Sequence, residues 1–284
     1  MYHLFKNRIT LSATLKAETA LYIGAGQKNF TPMAVQGSLL KNQRNEPYIP
    51  GSSLKGVLRS FLESVQGEEE KAKCVSCTKD KEKSLSDKTA RFNKIQELKA
   101  ETGREDGDAL LAEYITANSC PACRLFGSGI MAGKLKFADA TLLHPEAWMG
   151  TELRTGNAID RDTHTVVTST GALFDTEVIP SGTEFSLRIV AENLTQEEAA
   201  MFSELLEYFA QGGITVGGRS RAGLGMVSLK EIEVEVSYME KGCFAPKLKK
   251  IEDIYKEDKE KKDKKLDIKK PLLAFLQEQE VIYV

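Results

Sequence analysis

Two Cys-x-x-Cys pairs, Cys74/Cys77 and Cys120/Cys123, have the residue type and spacing of a metal centre. Each pair offers two thiolates at the bite that a tetrahedral Zn²⁺ accepts, and two pairs complete a closed structural site. The 42 residues between Cys77 and Cys120 exceed the usual ribbon spacing, so independent reduced thiols stand as the alternative. A structural Zn²⁺ is the expected cofactor, clamping what lies between the pairs to the residues after Cys123. The fifth cysteine, Cys243, reads as a buried or edge thiol and not as a further ligand.

The segment Gly212–Gly225 holds six glycines and two arginines between a helical pattern and a strand pattern. Glycine gives up packing and costs backbone entropy, so such a cluster implies positive φ angles or a very close approach. Arg219 and Arg221 make the approaching group an anion, because guanidinium forks match phosphate oxygens in a bidentate way. With Gly217 and Gly218 they form one candidate RNA contact; a flexible hairpin tip with solvated arginines is the plain alternative. A second contact is expected at Tyr48-Ile-Pro-Gly-Ser-Ser-Leu-Lys-Gly-Val-Leu-Arg59. Ser52 and Ser53 stand at a helix start, where free amides and the positive end of the dipole attract phosphate, and Lys55 and Arg59 share one face. An ordinary N-cap followed by a solvated basic edge accounts for the same residues.

Other chemistries lack their residues. A zinc nucleobase deaminase needs a His-x-Glu element, and the chain has none. His3, His144 and His164 are scattered and read as surface or packing residues. The glycine-rich segment follows a helix and precedes a strand, which is the reverse of a dinucleotide fingerprint.

These residues need a scaffold, and 284 residues can bury a substantial core. Hydrophobic content of 41% and charged content of 28% fit a soluble globular protein, and no run approaches the ~20 apolar residues of a membrane span. The amino end leads into an alternating strand instead of an apolar signal core, so a cytoplasmic protein without membrane partners is expected. The formal charge of -2 says little about RNA, because phosphate affinity follows local patches.

Ile9, Leu11, Ala13 and Leu15 alternate with polar residues as a first strand. Leu54, Val57, Leu58, Phe61, Leu62 and Val65 recur at helical spacing. A charged insertion with only weak helical patterns occupies 66–119. Lys134–Leu143 and Glu184–Val190 read as strands, with a long excursion over 145–180 between them. Thr195-Gln-Glu-Glu198 is a capping box opening a helix whose stripe is Phe202, Leu205, Leu206 and Phe209. Val227, Leu229, Ile232, Val234, Val236 and Tyr238 form the last strand. The fold class is therefore α+β, with a ferredoxin-like (RNA-recognition-motif-like) βαββαβ core over residues 1–240 and one sheet face left free. Residues 241–284 form a charged tail; its 247–270 stretch holds eleven lysines and seven acids and reads as a solvated linker or mobile helix. Pro271–Leu276 is expected to dock as a short helix.

Taken together, Ile49-Pro-Gly-Ser-Ser-Leu-Lys-Gly56, Cys123-Arg-Leu-Phe-Gly127 and the glycine–arginine loop resemble the RAMP superfamily of CRISPR-associated proteins. The resemblance spans roughly residues 7–238 and is narrower to the repeated backbone subunit of type III effector complexes, which act in antiviral defense. It implies a modified RNA-recognition fold that stacks along a CRISPR guide RNA, meets complementary target RNA and contacts other CRISPR-associated subunits. It also implies a protruding β-hairpin, or thumb, that intrudes between guide and target. The 145–180 excursion matches that thumb, with Asp160, Arg161, His164, Leu173 and Phe174 as its duplex contacts. Cleaving members carry an aspartate in the loop between the first strand and first helix; here the resemblance puts Gln36 at that position. From Thr19 to Leu62 the only acid is Glu46. A neutral amide neither binds a divalent cation strongly nor takes a proton at neutral pH. The expectation is a subunit that holds RNA without the aspartate-dependent cut, against the alternative of a target-cleaving or guide-processing endoribonuclease.

Overall fold

The computed structural model describes residues 5–26, 37–80, 84–157, 159–166, 173–239, 246–251, 254–257 and 264–280. Its elements are β1 (Asn7–Ala17), β2 (Tyr48–Ile49), α1 (Gly51–Lys73), α2 (Lys88–Thr102), α3 (Gly107–Ala117), α4 (Pro121–Phe126), β3 (Leu135–Phe137), β4 (Ala140–Leu142), β5 (Glu152–Asn157), β6 (Leu173–Val178), β7 (Glu184–Glu192), α5 (Gln196–Ala210), β8 (Val227–Tyr238), β9 (Lys247–Ile251), β10 (Tyr255–Glu257), β11 (Lys264–Leu266) and α6 (Lys269–Glu280). No helix among the described residues is long and apolar enough to cross a membrane.

The mixed α+β fold is organised by a seven-stranded antiparallel sheet in the order β2–β4–β7–β1–β8–β9, with β3 also paired to β7. Period-two alternation sends Ile9, Leu11, Ala13, Leu15 and Ala17 of β1 inward, where Leu11 lies opposite Ile189 of β7 and Val234 of β8. Leu54 and Leu58 of α1 join Phe202, Leu205, Leu206 and Phe209 of α5 in that same core. Full burial of each such side chain contributes about 1.5–3 kcal/mol. In β8 the inward set changes phase from Val227 and Leu229 to Ile232, Val234 and Val236. The register slips there against Ser12 and Thr14, and Glu231 takes a left-handed φ of 49°, so one extra residue restores the buried face. The opposite sheet face is polar: Thr10, Ser12, Lys16, Ser186, Arg188, Lys230, Glu233 and Glu235. That set contains no aromatic ring for bases to stack on, as RNA-recognition modules require.

The expected strand over Lys134–Leu143 is split into β3 and β4. The intervening Asp139 turns its carboxylate to α1, where it accepts the Gly51 N–H at 2.8 Å. Helix α1 packs so tightly there that a Cβ on Gly51 would lie 2.3 Å from the Phe137 carbonyl oxygen.

The insertion is more helical than its sequence suggests. Helix α1 is interrupted at Gly67 (φ 78°), and its last residues run to Cys74; α2 and α3 then return the chain to Cys120. Helix α2 is capped by the Asp87 carboxylate and by left-handed Gly103, yet buries only Leu98. With so few inward residues it leaves almost no apolar periodicity to read. A small separate core of Cys74, Val75, Leu85, Ile115, Cys120, Ala122, Cys123 and Met131 holds this region together.

The C-terminal segment is a correction to the solvated tail. Strand β9 extends the sheet beside β8, and Ile251, Ile254, Leu266, Ile268, Leu272, Phe275 and Leu276 enter the main core. The expected helix at Pro271–Leu276 is the middle of α6, which lies against α5. Charged residues dominate these strands, so their few buried apolar positions carry no detectable period.

Candidate nucleic-acid interface and metal centre

The glycine–arginine loop is closed on itself by the Val216 N–H donating to the Gly225 carbonyl at 2.8 Å. It is then laid across the segment following β1. The Gly218 N–H donates to the Tyr22 carbonyl at 2.9 Å, and the Gly225 N–H donates to the Ala20 carbonyl at 3.0 Å. Gly217 has a φ of 87°, and a Cβ there would lie 2.4 Å from the Tyr22 carbonyl oxygen. Both reasons for glycine therefore meet in one residue. Arg219, itself left-handed at φ 58°, sets its guanidinium 5.5 Å from the centre of the Tyr22 ring, within cation–π range. Arg221 follows in an exposed single turn, Ser220–Ala222.

The two expected RNA motifs share one cleft. Tyr22, Ile23, Gly24, Gly217 and Gly218 form one wall, and Ser53, Gly56, Val57 and Ser60 of α1 form the other, around a space of ≈ 520 Å³. The α1 residues recur at three- and four-residue intervals and so make one stripe of the helix. Ser52 is exposed on the first turn. The Gly51 amide is taken by Asp139, so the helix start offers an anion fewer amides than a free terminus.

Lys55 and Arg59 lie elsewhere. At 100° per residue both fall on the far side of α1 from the cleft-lining stripe. Arg59 donates to Glu63 Oε1 at 2.7 Å and to the Gly127 carbonyl at 2.8 Å, and its remaining nitrogen approaches Cys123 Sγ at 3.9 Å. Burial opposes its charge, but Glu63 and the neighbouring thiols outweigh that, and its pKa is raised. Arg59 thus braces α1 against the cysteine cluster instead of facing the cleft.

The four expected metal ligands converge. The sulfurs of Cys74, Cys77, Cys120 and Cys123 lie within 4.8 Å of one another, and Cys77 Sγ to Cys120 Sγ is 3.8 Å. A tetrahedral ion with bonds of about 2.3 Å puts its sulfurs about 3.8 Å apart, so the donor set fits a tetrahedral metal ion. Protonation states reflect the crowding. Hydrogen bonds from Cys120 and Cys123 hold the Cys74 thiol well below the usual range. Burial, then Cys74, pushes the Cys77 thiol up to about 12, and hydrogen bonding with Cys120 and Cys74 raises Cys123. A cation among four such sulfurs would favour the thiolate form of all. Cys243 lies outside the described residues.

The 145–180 excursion contains an antiparallel hairpin of β5 and β6, with Leu173 opposite Asn157 and Phe174 opposite Gly156. Beyond it, Ile159 pairs with Val166 around a tight turn. Asp160 Oδ1 accepts the amides of Asp162 and Thr163, which lowers its pKa, and the His164 N–H donates to the Asp160 carbonyl. Asp160 therefore shapes the turn, while Arg161 and His164 are exposed on it. At the other end Leu21 and Ile179 exchange backbone hydrogen bonds, tying the hairpin base to the residue before Tyr22. Glu177 accepts the Leu39 N–H, the Thr151 hydroxyl and the Lys41 ammonium, which ties in residues 37–41 as well. Gln36 lies outside the described residues; Gly37, next in the chain, pairs with Thr176 of the hairpin.

A family model of the RAMP superfamily matches residues 14–228, more than half of the chain. The chain belongs to the RAMP superfamily of CRISPR-associated proteins. The match takes in both walls of the cleft, the four cysteines and the hairpin of this RAMP protein. No curated protein matches it. Sequence reasoning missed Tyr22, Gly24, Gly56, Val57 and Ser60. The only local signal was the glycine spacing in Tyr22-Ile-Gly-Ala-Gly26.

Proposed function

We propose that this RAMP protein is an RNA-binding backbone subunit of a type III CRISPR interference complex. The observation that carries the reading is the meeting of the glycine–arginine loop and the first turns of α1 in one cleft. Arg219 and Arg221 supply charge at its rim, and Ser53, Gly217 and Gly218 supply a hydroxyl and closely approachable backbone for guide phosphates. The order β4–β7–β1–β8, with α1 and α5 on one face, supports a ferredoxin-like core.

The hairpin acts as the thumb. It exposes Leu153, Ile159 and Val166, apolar side chains suited to wedge between stacked bases, beside Arg161 and His164. The four cysteines hold a structural Zn²⁺ that fixes the insertion to α1 and α4. With Gln36 at the position of the usual aspartate, this subunit holds the guide–target duplex without cutting the target by that route. The test is a complex reconstituted with guide RNA, matching target and Mg²⁺. The reading predicts that target stays intact at the steps this chain occupies. Metal-dependent cleavage there, abolished by a substitution in this chain, would overturn it in favour of an endoribonuclease.

A further inference from the structure

Helix α2 is capped at both ends but buries only Leu98, so its outer surface is not explained by the fold of the insertion. Lys88, Phe92, Gln96 and Lys99 recur at four- and three-residue intervals and share one stripe. Phe92 is 61% exposed, and Lys88 has no carboxylate partner among the described residues. Among the described residues Lys99 is bridged to Glu105 alone, at 3.3 Å, with its own side chain 30% exposed and that of Glu105 95%. The exposed carboxylate can give way to a phosphate. Helix α2 itself carries four basic residues, Lys88, Arg91, Lys94 and Lys99, against two acids, Glu97 and Glu101.

We propose that this stripe is a second contact surface for single-stranded RNA, separate from the glycine–arginine cleft. It rests on the chain being an RNA binder but not on the cleft being where the guide sits. Lys88 and Lys99 stand about 16 Å apart along the helix, a span of a few nucleotides. Phe92 between them offers a ring face for a base, and the Gln96 amide can donate to and accept from a base edge. Charge complementarity favours RNA over a protein segment, since an exposed ring flanked by ammonium groups is the pattern that unpaired strands use. The cysteine cluster keeps the stripe in a fixed place relative to α1.

The experiment measures binding of a labelled, unstructured single-stranded RNA to the metal-loaded full chain across a salt series. Phe92→Ala should weaken binding about five-fold or more, and Phe92→Trp should retain it, because stacking needs only a ring. Lys88→Ala should lower the salt slope by about 0.7. Helix content and metal content should stay unchanged in all three. If Phe92→Ala and Lys88→Ala bind within about two-fold of the parent while Arg219→Ala/Arg221→Ala loses binding, the α2 surface is refuted and the cleft stands. If all bind as the parent does, both fail. If the α2 variants keep RNA but lose a neighbouring subunit, the stripe docks protein and the proposal is overturned.

Discussion

Gly217 lies against Tyr22 so closely that a Cβ would sit 2.4 Å from the Tyr22 carbonyl oxygen, while the next amide, Gly218 N–H, bonds that same oxygen at 2.9 Å. The contact joins the glycine–arginine loop to the chain leaving β1. Tyr22 is in turn the residue beneath Arg219 and next to Leu21, the anchor of the hairpin base. One carbonyl therefore couples the cleft, its cation and the hairpin.

Gly217→Ala should accordingly cost about 1–3 kcal/mol, through a strained φ and a backbone clash, and should weaken RNA binding by displacing Arg219. Gly129→Ala is the control, because nothing lies within 4 Å of a Cβ there. Denaturant midpoints for the two variants check this; equal midpoints would show that the contact does not constrain the loop.

At Gly56 the two demands separate. A Cβ meets nothing within 4 Å, and the residue is within α1, so Gly56→Ala should stabilise the protein by about 0.5–1 kcal/mol. Gly56→Glu should fold equally well but place a carboxylate in the cleft and repel phosphate. Thermal melts alongside RNA titrations distinguish folding from binding.

Metal removal should be local. The cysteine cluster has its own small core, distinct from the core of the main sheet. Elemental analysis of protein purified without chelator should find about one zinc per chain. Chelation, or Cys120→Ser, should expose the insertion to hydrogen exchange and protease while the sheet stays protected. Binding requires thiolates, so acidification should release the ion before the core unfolds. A single cooperative loss of both regions would contradict the separation.

Glu177 should make the hairpin base pH-dependent. Burial raises its pKa, but Lys41, Thr151 and the Leu39 amide outweigh this, and the net shift is downward. A carboxylate with a lowered folded pKa contributes stability above its unfolded value, and that contribution is lost as pH falls through the folded one. Glu177→Gln should therefore destabilise the protein at neutral pH, with a difference from the parent that shrinks in acid. A difference independent of pH would exclude the ionised pair as its source.

The elements with one buried face were legible because burial imposes a period. The β1 alternation survives except at Thr14, which is buried between Ala13 and Leu15, and Thr195 and Glu198 form the expected reciprocal cap of α5. Helix α2 was obscured because Leu98 is the one residue it buries. Spacing told correctly that Lys55 and Arg59 share a face, but not which way that face looks. The cleft stripe of Ser53, Gly56, Val57 and Ser60 is set by where the loop of Gly217 lands, a tertiary fact. Tyr22 was missed for the same reason. The four cysteines were legible despite their 42-residue gap, because ligand chemistry constrains the folded distance and leaves the length of chain between pairs free.

The central claim is that Arg219 and Arg221 hold RNA phosphates at the cleft. Its most direct test is a salt series of RNA affinities for the parent and for Arg219→Ala/Arg221→Ala, with folding checked by circular dichroism. Two lost phosphate contacts on a single strand should weaken binding and reduce the slope of log K against log salt by about 1.4. Unchanged affinity and slope in a folded double variant would contradict the account.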